Sequence, residues 1–389
     1  MASRSHRAGR HRFRAPPRTG TDRWFRRYRF YVIAGWVLAS VLVVALVLAS
    51  LRTTPPLLPG PPAAITPPTA PAVILATPVA DPPGLSAEAP PRAVTFERWR
   101  YVGFLKSTAG EVFSFHATAS SGSAAGGKMV YRAALLQHGS GKQISEQVAV
   151  SGGGTGESAN GFVLVTPGWR LSGESGRHSL SISGKEMALA LILDDAAPAM
   201  ELPVLGAPAL SGRLQHVARP RMRAEGSVTV AGTSVSVSGE VWFDRQWGDL
   251  DLSAAQVATF SLLLDDGAAL QLCLVEGQGG KPLLRSAVLL KDGGVMPLDE
   301  TAIRVVAAST WRSPSSGVVY PMDWQLSLPG LGMNVRLQPV IRHSQFNARA
   351  SGGNVFWLGA VSLAGSPGGV RLAYDETETR CETNNAAAN

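Results

Sequence analysis

At 389 residues with a net charge of +8, the chain has room for an N-terminal segment and two folded domains, each with its own core. Residues 1 to 30 hold ten Arg and one Asp, so the other 359 residues together carry about −1. The basicity belongs to a tail, which excludes a nucleic-acid reader, because such a protein carries its basic patch on the folded domain.

Phe30 to Leu51 is a run of 22 residues without a charge, about 33 Å long as a helix and sufficient to span a bilayer. Arg23, Arg26, Arg27 and Arg29 precede it, so the positive-inside rule places the N-terminus in the cytoplasm and the rest outside the cytoplasmic (inner) membrane, in the periplasm. A cleaved secretory signal is the competing reading, but its apolar region is shorter and ends in a small-x-small site, which is not clean here. Residues 53–92 then contain 13 of the 27 prolines and read as a spacer with polyproline II tendency.

From Thr95 the pattern turns to short β segments punctuated by turns, the mark of an all-β chain of antiparallel barrels or sandwiches. Expected strands are Trp99–Leu105, Glu111–Thr118, Met129–Leu136, Gly161–Thr166, His178–Ser183 and Met187–Leu193. Ser121–Lys128 and Gly152–Asn160 are glycine-rich and read as loops. Arg219-Pro220-Arg221 introduces a hairpin, Ser227–Val230 with Ser234–Phe243 around Ala231-Gly232-Thr233. Further strands are expected at Val257–Leu264, Ala269–Val275, Leu283–Leu290, Ile303–Trp311, Trp324–Leu328, Asn334–Ile341, Val355–Ser362 and Gly369–Tyr374. The hairpin beginning at Val257 echoes the one beginning at Trp99, a faint internal repeat consistent with two similar barrels.

The predicted organisation is a basic cytoplasmic tail (1–29), a transmembrane helix (30–51), a Pro-rich linker (52–92), two β domains (93–250 and 251–376) and a disordered tail (377–389). Cys273 in an apolar strand and Cys381 in the tail leave a disulfide open in an oxidising compartment, without implying a framework. The seven histidines lack metal-ligand spacing, and neither a nucleophile elbow nor a dinucleotide fingerprint occurs, so no metal and no cofactor are expected.

Gly239–Asp249, G-E-V-W-F-D-R-Q-W-G-D, concentrates the site-grade chemistry. Strand alternation puts Trp242 and Asp244 on one face and Val241, Phe243 and Arg245 on the other. If the Trp242 face borders a cavity, burial raises the Asp244 pKa and makes it a proton donor for adding water to an alkene, with indole faces stabilising the cation. If it does not, Asp244 caps a turn or pairs with an arginine and the tryptophans are core. His116 in F-S-F-H-A-T is the histidine of most interest.

Three patches carry a family resemblance over roughly Thr95–Tyr374. They are Glu97-Arg98-Trp99-Arg100-Tyr101-Val102-Gly103-Phe104-Leu105; the stretch from Arg219-Pro220-Arg221 to W-F-D-R-Q-W-G; and Phe356-Trp357-Leu358-Gly359-Ala360-Val361, preceded by Pro321 and Trp324. In these the chain resembles the lipocalin-like carotenoid 1,2-hydratase and AttH-like group, with Arg98 and Arg100 in place of aromatics and Leu358 in place of Glu. The resemblance implies two lipocalin-like β-barrel domains around an apolar ligand cavity. The central stretch itself supplies Asp244, Trp242 and Trp247 as catalytic candidates. Ligand-binding candidates are Trp99, Tyr101, His116, Arg245, Gln246 and Trp357. The resemblance implies binding of a lipid or isoprenoid, cofactor-independent hydration of an isoprenoid double bond, or an accessory role beside the permease of an ABC-type exporter.

Overall fold

A computed structural model describes residues 87–122, 127–151, 160–195, 199–253, 255–264, 266–364 and 372–378, and these form an all-β fold. The basic tail, the Phe30–Leu51 run, the linker up to residue 86, the expected loop at 152–159 and Cys381 lie outside the described residues. Among the described residues no helix is long and apolar enough to cross a membrane.

The first sheet is built from β1 (Phe96–Ser107), β2 (Val112–Gly122), β3 (Lys128–Gln137), β4 (Lys142–Ser151), β5 (Gly161–Thr166), β6 (Trp169–Glu174), β7 (Arg177–Ser183), β8 (Met187–Asp195), β9 (Met200–Leu205), β10 (Leu214–Val230) and β11 (Thr233–Gly248). The second contains β12 (Gln256–Leu263), β13 (Ala269–Glu276), β14 (Pro282–Lys291), β15 (Gly294–Pro297), β16 (Arg304–Arg312), β17 (Val319–Leu328), β18 (Met333–Pro339), β19 (Gln345–Asn347), β20 (Val355–Ala364) and β21 (Leu372–Glu378). All the pairings are antiparallel. In each sheet the opening strand pairs with its successor and with the final strand: β1 with β2 and β11, β12 with β13 and β21. The faint repeat in the sequence is this shared topology.

Each sheet rolls around its own apolar interior, and the first is nearly closed. In the first, the Lys142–Glu186 ion pair and the Lys185 amide donating to Glu146 Oε1 at 2.7 Å bring β4 round to the turn between β7 and β8. Its interior holds Trp99, Tyr101, Tyr131, Phe162, Phe243 and Trp247. The interior of the second holds Phe260, Leu272, Tyr320, Trp324, Leu326 and Trp357. Burying each such side chain stabilises the fold by about 1.5–3 kcal/mol before the entropy of ordering is counted.

The long β10–β11 hairpin closes on Ala231 and Gly232, with φ of 50° and 82°. Two left-handed residues make the type of turn whose twist matches the flanking strands, and glycine takes that conformation without strain. Arg219-Pro220-Arg221 does not introduce this hairpin, as the sequence suggests, but lies inside β10, where the register shifts between Arg219 and Met222. Pro220 has no N–H for the ladder, and a bulge is where a strand accommodates that loss. Five strands were unforeseen: β4, β6, β9, β15 and β19, all short or polar on one face. The final strand also extends to Glu378, so Thr377 pairs with Ala258 and Trp357 instead of beginning a tail.

Candidate functional site

The outward face of the first sheet packs against the outward face of the second, and the side chains between them form bands, apolar at the two ends and polar between. On the first sheet, strand register aligns Phe96, Gly248 and Leu214; then Arg98, Gln246 and His216; then Arg100, Asp244 and Ala218; then Val102 beside Trp242. On the second it aligns Leu284, Val275 and Val257; then Ser286, Cys273 and Thr259; then Val288, Gln271 and Ser261; then Leu290, Ala269 and Leu263. Like bands meet. Leu214 and Leu205 cluster with Val275, Val257 and Leu284 at one end, and Trp242 and Val102 cluster with Leu263, Ala269 and Leu290 at the other. Arg100 bridges the polar bands by donating from Nη2 to Ser261 Oγ at 2.7 Å.

Between the outer bands lies a cavity of about 780 Å³, within the range of small-molecule sites. The connector from β11 to β12 supplies one wall through Leu250, Leu252 and Ala255, and residues 351–354 supply another. Its apolar portion is lined by Leu205, Leu214, Val257, Val275 and Leu284, and its polar portion by Arg98, His116, His216, Gln246, Thr259 and Gln271.

Asp244 and Arg100 are both fully buried one band deeper. Arg100 Nε donates to Asp244 Oδ2 at 2.7 Å, and the Trp242 indole donates to the same oxygen at 3.1 Å. Burial alone would raise the Asp244 pKa; the Arg100 guanidinium, helped by His216, more than offsets it and holds the carboxyl below the usual range. The expected raised pKa is therefore not found. The neighbouring cation is Arg100 on β1, while Arg245 points to the opposite face as alternation requires. Burial pushes His216 down to about 4, against the opposing pull of Asp244, so its imidazole is neutral at physiological pH. His216 Nε2 stands 3.7 Å from Asp244 Oδ1, and neither atom has a hydrogen-bond partner among the described residues.

The predicted residues divide among three places. Trp242, Asp244, His116 and Gln246 belong to the layer between the sheets, where Gln246 accepts from Arg98 at 3.0 Å. Trp99, Tyr101, Arg245 and Trp247 lie on the other face, inside the first sheet. There Arg245 stacks over Trp99 at 4.7 Å and bonds Glu97, while Arg92 covers Trp247 at 4.0 Å. Trp357 is core to the second sheet and donates to the Arg342 carbonyl at 2.9 Å. The residues the sequence did not single out are Arg100, His216, Ser261 and Gln271. Cys273 lines the cavity as a buried thiol, its pKa raised to about 11 by burial.

The AttH-like family matches residues 87–376. The chain belongs to this family. Its fold is that of an AttH protein from Nitrosomonas europaea, a crystal structure with TM-score 0.66 and 22% identity that covers 73% of this chain and 92% of that one. The same fold occurs in kievitone hydratase from Nectria haematococca, with TM-score 0.61, 16% identity, and 79% and 93% of the two chains covered. Kievitone hydratase of Fusarium solani subsp. phaseoli is 25% identical over 122 residues, 29% of this chain and 34% of that protein. The AttH-like match thus contains both sheets, whereas the match to the curated relative spans about a third of that relative's length.

Proposed function

We propose that this AttH-like protein binds an amphipathic small molecule, of lipid or isoprenoid type, in the cavity between its two sheets. The observation that carries the reading is the cavity's division into an apolar portion around Leu205, Leu214 and Val275 and a polar portion around Arg98, His216 and Gln246. In this reading each sheet is a lipocalin-like barrel. The pair is held outside the cytoplasmic membrane by the Phe30–Leu51 helix, close to an ABC-type permease if it serves an exporter. Mass spectrometry of extracts from the full chain, purified out of its native membrane, tests the binding. A bound amphiphile is expected, lost when Ser286→Trp fills the cavity from β14; a reproducibly empty wild type refutes the proposal. Replacing residues 30–51 by an unrelated anchor tests the permease, since retained export excludes a contact made by that helix.

A second reading, hydration of an isoprenoid double bond, is favoured by the facing unpartnered atoms of His216 and Asp244 and by the partial similarity to kievitone hydratase. In such a step the His216 imidazolium gives its proton to an alkene carbon. Water adds to the cation, and the proton that the water loses returns to His216. Ionised Asp244 stabilises both cations. Because His216 titrates at about 4, the rate then rises as pH falls towards 4 and levels below it. Mass gain of one water on a prenylated phenol, lost in His216→Gln, is the expected result; a rate that falls as pH drops contradicts His216 as the acid.

A further inference from the structure

Gln271 on β13 lines the polar portion of the cavity and is 3% exposed. Its carboxamide turns Oε1 towards Ser261. Arg100, anchored by Asp244, donates from Nη2 to Ser261 Oγ at 2.7 Å, and a guanidinium can only donate. Ser261 therefore accepts there, which leaves its hydroxyl hydrogen free, and it donates to Gln271 Oε1, 3.1 Å away across the β12–β13 pair. With Oε1 facing Ser261, Nε2 is turned away, and it is buried without a hydrogen-bond partner among the described residues. Buried amide donors are nearly always paired, because leaving one unmade forfeits its hydration without return.

We infer that Gln271 is a specificity-determining residue that donates to an oxygen acceptor on the ligand. The site then selects an oxygenated amphiphile, with a carbonyl, ether or hydroxyl oxygen beside Gln271 and its hydrocarbon body along Val257, Val275 and Leu214, over a plain hydrocarbon of the same shape. A site built around a buried donor rejects the analogue that lacks the acceptor more strongly than an apolar pocket rejects a missing methylene. The inference rests on the cavity being the ligand site.

Two probes of matched skeleton separate the two claims: acetylnaphthalene, which offers a carbonyl oxygen and no donor, and ethylnaphthalene, its hydrocarbon counterpart. Each is titrated calorimetrically into the full chain in detergent. Protection of Cys273 from a methanethiosulfonate reagent, in a Cys381→Ser background, reports occupancy of the cavity. The ketone is expected to bind about tenfold tighter. Gln271→Leu and Gln271→Met are expected to bring the ratio to about one by weakening the ketone alone, and Ser261→Ala, which releases the carboxamide, to narrow it. Equal wild-type affinities with Cys273 protected overturn the role of Gln271 and leave the cavity reading standing, as does a preference that survives Gln271→Leu. Binding of either probe without protection of Cys273, or of neither probe, overturns the cavity reading and the role of Gln271 with it.

Discussion

Asp244 and Arg100 are the charges on which the layer between the sheets depends. Asp244→Asn leaves the Arg100 guanidinium buried without its counter-ion, so a loss of about 3–5 kcal/mol in urea unfolding is expected. Asp244→Leu combined with Arg100→Met is expected to recover most of that, since apolar residues of similar volume often replace a buried pair without cost. Additive losses in the double variant would refute the coupling. His216 titrates at about 4 when folded and near 6.5 when unfolded, so the unfolded chain binds the extra proton between those values. Its contribution is complete above pH 6.5 and declines as pH falls to 4, by up to about 3 kcal/mol. His216→Gln is expected to flatten that part of the stability–pH curve, and an unchanged slope would mean that other groups carry it. Asp244 was legible because W-F-D places an indole and a carboxylate on one face of a strand. Arg100 read only as a departure from an aromatic pattern, and His216 as an isolated histidine, because strand alternation reveals a shared face but not which faces meet across two sheets.

β1 and β11 carry different chemistry on their two faces. The inward face receives the segment of residues 87–92. Arg245 donates to the carbonyl of Pro90 at 3.0 Å, Arg92 lies over Trp247, and Glu88 takes Arg219 Nε at 2.6 Å and His178 Nε2 at 3.1 Å. Burial would raise the Glu88 pKa, but His178 and Arg219 outweigh it and lower the group to about 2. A carboxyl lowered in this way contributes fully above its unfolded value of about 4.5, and the contribution is lost as pH falls through 2. The segment is thus expected to stay latched at neutral and mildly acid pH. Amide exchange at residues 87–92 should accelerate between pH 4.5 and 2, after allowance for intrinsic rates, and Glu88→Gln should show the fast exchange at every pH. Equal protection in the two proteins would refute the latch. The latching was not legible in the sequence, because Glu88 and its partners are separated by most of the first sheet. The strands richest in alternating apolar residues were legible; β4 and β9 were not, because they take their stability from neighbours more than from their own pattern.

The two sheets belong to one compact unit, and what joins them also closes the cavity. Trp242, Val102, Leu263, Ala269, Phe356 and Leu358 pack as one apolar cluster between the sheets, the interface of two rolled sheets that each possess a core. The shared topology of the two sheets was legible from the repeat of hairpins, but the face on which they meet was not, since either face of β11 has enough apolar character to be buried. Leu263, 5% exposed, sits in this seal. Leu263→Asp places a carboxylate in a dry cluster with no cation among its members, while leaving both interiors untouched, so its cost falls on the contact between the sheets. Calorimetry of the wild type is expected to show one cooperative transition. The variant is expected to show two, with the second sheet melting independently of the first, and Cys273 labelling far faster before either transition because the cavity has lost a wall. A single transition at a lower Tm with Cys273 still protected would instead mean that the seal is dispensable and that the polar bands, through Arg100 and Ser261, hold the sheets together.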